Sequence, residues 1–188
     1  MSLLSFAQWV QSTDLFTSIR TSWYVYPSIM ALHLTCIAIF GGMILMGNLR
    51  LLGVALRNQP VSSVIGSLRV PKRIGFVLVA TCGILLAGSK AEEYYYNAFF
   101  WTKMSLLALI FIHGFIFRSS VYNKAAEFDG LKRMPSRAKL AAGLSLLLWA
   151  GVACAGRGIG YIDPPLDKLH ADNSAVSAAQ ASAGAAVR

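Results

Sequence analysis

Acidic residues are scarce in this chain, and its long apolar runs contain none. Eight Asp and Glu stand against seventeen Lys and Arg in 188 residues, and charged residues of both signs make up 13%. A soluble domain carries about a quarter, so the deficit excludes an ordinary soluble protein. The lack of an acid inside the apolar runs argues against an ion-coupled pump or transporter, whose relays need an intramembrane carboxylate. Cysteine is sparse as well. Cys36, Cys82 and Cys154 each stand alone in an apolar run, which excludes a disulfide framework and a zinc site and leaves them as small hydrophobes. A Gly-rich phosphate loop, an HExxH pair and a nucleophile with a paired base are all missing. No residue is therefore assigned a catalytic role, and catalysis is not expected. Residues 1–12 lack the basic start and continuous apolar stretch of a cleavable signal, so the first spanning helix is expected to direct insertion itself.

Apolar sequence is abundant. Hydrophobic residues make up 56% of the chain, mean hydropathy is +0.57, and no charge occurs from Thr21 to Leu49. Four runs approach the roughly 20 residues needed to cross a bilayer: about 25–47, 74–89, 98–117 and 140–157. The second and fourth are short, and their flanking Lys and Arg are expected to snorkel to the interface. The expected fold is all-α, a single four-helix membrane domain over 1–162. The segment 163–188, rich in Pro, Ala and Ser, is expected to be a flexible tail in which His170 is simply solvated.

The loops set the direction. Arg50, Arg57, Arg69, Lys72 and Arg73 follow the first run without an acid, and Arg118, Lys124, Lys132, Arg133, Arg137 and Lys139 follow the third. Short loops rich in Lys and Arg stay cytoplasmic, which places both termini on the periplasmic side of a bacterial inner membrane. Trp23, Tyr24, Tyr26, the tyrosines at 94–96, Trp101 and Tyr161 then form an aromatic belt on that side. The basic excess is explained by topology, so nucleic acid is not an expected partner. Ahead of the first span, Leu3, Phe6, Trp9 and Val10 share one helical side, followed by Asp14 as the expected N-cap. This is the pattern of an amphipathic helix lying in the interface.

With the spans placed, "YPSIMALHL", "GNLRLLG", "NAFFWTKMSLLAL" and "SLLLWAGVACAGRGIGYI" follow one another in an order that resembles a family of small bacterial four-helix integral membrane proteins of no established function. The likeness runs from about Ile19 to Ile162. It implies a fold and a location but no reaction. The resemblance implies, in many members, an acid where this chain has Asn48 and Asn where it has His113, which sets His113 apart from any shared chemistry.

His33 lies inside the first apolar run, where a polar ring is costly and has a reason to be present. Small membrane bundles often hold b-type haem between histidines on facing helices, which makes His33 and His113 a candidate pair. Depth weighs against it: His33 lies roughly 13 Å below the outer end and His113 roughly 21 Å, an offset of about 8 Å. At the level of His33 stand Thr81, Cys82, Met104 to Ala108 and Trp149 to Val152. Met104 is the alternative second haem ligand, and a hydroxyl from Thr81 or Ser105 is the structural alternative. Proton or quinone chemistry is a third use for the ring.

Arg157, flanked by Gly156, Gly158 and Gly160, is a candidate for binding a carboxylate, lipid or quinone head group, with Lys103, Glu92 and Glu93 completing a polar cluster. Its plainer reading is an anchor paired with Glu92, Glu93 or Asp163. Arg50 reads as an anchor meeting anionic lipid, and Gly41, Gly42, Gly47, Gly83, Gly114, Gly143 and Gly151 as points of close helix approach. The leading functional expectation is an accessory or structural subunit of a membrane complex, or a homo-oligomer. A b-haem electron carrier using His33 and a quinone or small-ligand binder near Arg157 are the alternatives.

Overall fold

The computed structural model describes residues 2–131 and 133–162; the expected tail and His170 lie outside them. Within the described residues the chain forms eight α-helices and no strand. Four stretches are long and apolar enough to cross a membrane: Val25–Leu52, Val61–Ser89, Ala98–Tyr122 and Ser136–Ile159. The expected bundle is thus present. The third span begins where hydropathy placed it, and its α-helical part ends at Phe117 while the helical backbone continues as a π-turn to Tyr122. The second and fourth reach further into charged sequence, because the helical backbone continues past the residues that lipid requires to be apolar.

Two helices precede the bundle. α1 (Leu3–Ser12) is capped by Ser2, whose side chain accepts from Ser5 N. The break before α2 (Asp14–Thr21) falls at Thr13, so Asp14 is the first helical residue and not the cap. Its carboxylate still suits the positive end of the helix dipole. Leu3, Phe6 and Trp9 all face outward, as an interfacial apolar side requires. The opposite side of α1 is held by Glu92, which accepts from Gln8 Nε2 at 2.9 Å and whose backbone N–H donates to Gln11 Oε1 at 2.9 Å. Glu92 lies on α6 (Ala91–Tyr95), a short helix between the second and third spans.

α3 (Val25–Leu52) ends at Gly53, where φ is +74° and the N–H returns to Arg50 O and Leu49 O. Glycine takes this left-handed conformation without a Cβ clash. α4 (Val61–Ser67) runs almost directly into α5 (Arg69–Ser89). α7 (Ala98–Phe117) passes into a π-helical turn, Arg118–Tyr122, and a 3-10 turn, Ala125–Phe128, before α8 (Ser136–Ile159). The most extensive packing joins α7 with α8 and α3 with α5, and α3 with α8 forms the seam between those pairs. α5 and α7 meet through the edge-to-face rings of Phe76 and Phe111, centroids 5.7 Å apart.

The densest apolar core lies at the basic end of the bundle, outside the middle of the spans. Leu51, Val61, Ile65, Val121, Ala125, Phe128, Ala138, Ala141 and Ala142 form one buried cluster. It draws on α4, a helix of only 7 residues, and on the turns after α7, where apolar residues stand singly among polar and charged ones. Within lipid, association rests on close packing and on hydrogen bonds between helices. Gly83 and Gly151 serve that purpose: a Cβ at Gly151 would lie 3.2 Å from Leu106 Cδ1. Gly41, Gly42, Gly114 and Gly143 have nothing within 4 Å of that position and so are not approach points within the monomer.

The turn after α7 is tied back by Asp129, which accepts from Ser62 N at 3.0 Å and from the Ser62 hydroxyl. The carboxylate thereby caps α4 from a distant part of the chain. The hydroxyl bond first, then the backbone N–H, holds its pKa below the ordinary 3.8. A depressed pKa contributes stability that is present above the unfolded value and lost as pH falls through the folded one. Protection of the Ser62 amide from hydrogen exchange is therefore expected to hold from neutral pH down to about 4 and to fall only below it. Asp129→Asn should weaken protection at neutral pH, where the carboxylate is ionised, and remove that acid dependence.

Candidate functional site

His33 and Lys103 mark a region of the spans where a buried ring nitrogen stands without a hydrogen-bonding partner among the described residues. His33 is 7% exposed, and its Nδ1 is fully enclosed with no hydrogen bond. The ring lies against α5 at Gly83, where a Cβ would sit 3.3 Å from Cε1 and 3.9 Å from Nε2. Glycine at 83 is what lets the imidazole reach that helix. Cys36, one turn further along α3, and Cys82, beside Gly83, are both buried. Lys103 comes from α7, near enough for its charge to bear on His33. Its Nζ would lie 3.9 Å from a Cβ at Gly156 of α8. The ammonium forms no ion pair among the described residues.

The expected structural partners are not in place: Thr81 and Ser105 are both exposed on outer helix faces and neither hydrogen-bonds the imidazole. Met104 is half-buried on α7. His113 is at another depth. It lies about 22 Å along α7 from Ala98, against about 12 Å for His33 along α3 from Val25. Its Nε2 is 2.9 Å from Ala141 O, and its ring packs on Phe117 at 4.8 Å. His33 thus lies against α5 at Gly83 and His113 against α8 at Ala141, and the structure does not bring the two histidines together.

Arg157, Lys103, Glu92 and Glu93 do not form one cluster. Glu93 pairs with Lys90 at 2.8 Å, Glu92 is buried under α1 by the glutamines described above, and Arg157 turns outward with its guanidinium over the Tyr161 ring at 5.1 Å. Lys103 alone points inward, toward His33 and the backbone of Gly156. Arg50 also departs from expectation. It is buried, with Nε donating to Gln59 O at 2.9 Å, so it braces the loop between α3 and α4 rather than facing lipid.

Three buried polar contacts tie the bundle together. Asn48 Nδ2 donates to Ser145 Oγ at 3.0 Å across the α3–α8 seam. His113 joins α7 to Ala141 of α8. Asn97, 2% exposed, accepts from Phe99 N and Phe100 N, and its Nδ2 donates to Ile159 O and Ile162 O. It therefore caps the start of α7 and fastens the end of α8. Asn before an apolar run is a readable N-cap signal, but its hold on α8 has no sequence signature. Among the described residues no group of three or more His, Cys, Asp or Glu is placed to hold a metal ion.

Four helices long and apolar enough to cross a membrane, pinned by single buried polar contacts and preceded by an amphipathic helix, define the fold as an all-α bundle of the four-helix class. The chain belongs to the family of unknown function DUF6644, whose match covers residues 6–162. No curated protein and no solved structure matches it.

Proposed function

We propose that this protein is a non-catalytic component of a bacterial inner membrane, with both termini periplasmic, acting as an accessory or structural subunit of a larger membrane assembly or of a homo-oligomer. The observation that carries this reading is the use of the buried polar side chains. Asn48, Asn97 and His113 join helix to helix instead of converging on a cavity where a substrate would react. The orientation follows from the two basic loops, which favour the cytoplasmic side.

A second reading is favoured by one specific observation, the enclosed and unpartnered Nδ1 of His33 beside Lys103. Such an imidazole suits a ligand entering from the bilayer, either b-type haem or a quinone-like acceptor. With His113 engaged by Ala141, the second axial position of a haem would fall to Met104.

One preparation separates the readings. Epitope-tagged protein is released from its own membranes in mild detergent, then followed by native electrophoresis and absorption. The subunit reading expects a colourless species that co-migrates with an assembly well above the 20.3 kDa chain. A monomer under those conditions overturns it. A reduced α-band that disappears in His33→Ala supports the haem form of the second reading. A colourless preparation from haem-replete cells removes that form.

A further inference from the structure

The basic end carries a cleft of about 320 Å³ lined by Ile65, Arg69, Lys72, Arg73, Arg118, Tyr122 and Asn123. Its walls come from α4 and α5 on one side and from the π-helical turn after α7 on the other, with no contribution from α3 or α8. It therefore sits where α5 and α7 diverge, on the outside of the bundle. Four cationic side chains line it, and no acid does. None of the four makes an ion pair or a side-chain hydrogen bond among the described residues. Lys72 is half-buried and reaches inward, its Nζ 3.8 Å from where a Cβ at Gly47 of α3 would stand. The π-helical turn carries Arg118 and Tyr122 to the opposite wall. Four like charges held together in one depression repel one another, and an anion seated among them relieves that repulsion.

We propose that this cleft is a binding site for the phosphodiester head group of an anionic phospholipid, of which doubly charged cardiolipin fits the four cations best. The source is lipid rather than soluble phosphate because the helices that line the cleft carry exposed apolar side chains along their length. Phe76 of α5, one turn beyond Arg73, meets Phe111 of α7, and both are exposed, as are Val70, Ile74 and Val77 of α5 and Phe115 and Ile116 of α7. Acyl chains can lie along that surface while the head group stays among the arginines. Basic pockets between helix ends at a membrane surface recognise such head groups in this way. The inference rests on the membrane reading of the bundle but not on the subunit role, nor on the occupancy of the His33 region.

The test uses the full chain in neutral detergent, titrated with cardiolipin, phosphatidylcholine or inorganic phosphate and followed by native mass spectrometry and thermal unfolding. Cardiolipin is expected to remain bound and raise the unfolding temperature, with affinity falling steeply as salt is added. Phosphatidylcholine and phosphate should do neither. Each cation near a lipid surface contributes about fivefold in affinity, so Arg69→Gln with Arg118→Gln should weaken binding about 25-fold. Arg57→Gln with Arg133→Gln, which alters the other basic cleft, should change it less than about twofold. An equal response to phosphatidylcholine overturns the proposal. Stabilisation by inorganic phosphate alone overturns its lipid source. Undiminished cardiolipin binding in the Arg69/Arg118 variant overturns its location. The salt dependence of the unaltered protein decides the electrostatic claim even where the variant does not fold.

Discussion

Replacing Asn97 with Ala is expected to lower the stability of the folded bundle by about 2 kcal/mol. Two losses add at one residue. The cap on α7 disappears when Oδ1 no longer accepts from Phe99 N and Phe100 N, and substituting an Asn cap with Ala costs about 1 kcal/mol. In addition, Ile159 O and Ile162 O lose their shared donor. Both bonds are only part-buried and Ile162 is exposed, so their loss costs about 1 kcal/mol, the net worth of a typical hydrogen bond. Asn97→Ser separates the two effects, since a hydroxyl can still cap but does not reach across to α8. It should retain protection at the start of α7 in hydrogen exchange while residues 159–162 lose it. If Asn97→Ala unfolds at the same denaturant midpoint as the unaltered protein, the clamp contributes nothing.

Leu51→Ala should destabilise by about 2–5 kcal/mol, the range for truncating a fully buried leucine, whereas Leu34→Ala should change stability by less than about 0.5 kcal/mol. Both leucines lie on α3 and are indistinguishable by hydropathy. Leu51 is 1% exposed in the cluster with Val61, Val121 and Ala138, while Leu34 is 58% exposed on the outer face of the span. Removing methyl groups from Leu34 exchanges protein for lipid contact. Removing them from Leu51 leaves a cavity that its neighbours only partly fill. Unfolding by SDS titration in a fixed mixed micelle would compare the two, and equal midpoints would contradict a core concentrated at the basic end.

These two positions show what was legible in the sequence. The apolar runs, the amphipathic α1 and the third span were readable because each is one continuous physical signal. The helical ends of the second and fourth spans were not, since Arg69, Lys72 and Arg73, and likewise Arg137 and Lys139, interrupt hydropathy without interrupting backbone hydrogen bonding. The basic-end core was hidden for a related reason. Val61, Val64 and Ile65 occupy a helix of 7 residues, too short to show a period, and Val121 and Phe128 sit singly among charges.

For His33, counting residues along a helix gives depth but not the direction a side chain faces. The structure sets His33 against Gly83 and sets His113 against Ala141. The same count offered Thr81 and Met104 to Ala108, where the structure brings Gly83 and Lys103. Arg50 misled in the same way: its position at the end of α3 was evident, but the turn of its side chain toward Gln59 was not.

The pairing of helices also fixes an order in time. α3 packs against α5, its successor among the spans, so that contact can form while α7 is still being synthesised. Asn48 cannot be satisfied so early, because Ser145 lies on α8, the last span to emerge. Throughout that interval an amide near the end of α3 waits for its acceptor. The arrival of α8 both closes the seam and ends the exposure of that amide, so completion of the chain is coupled to the moment at which the half-built bundle loses its outstanding polar liability.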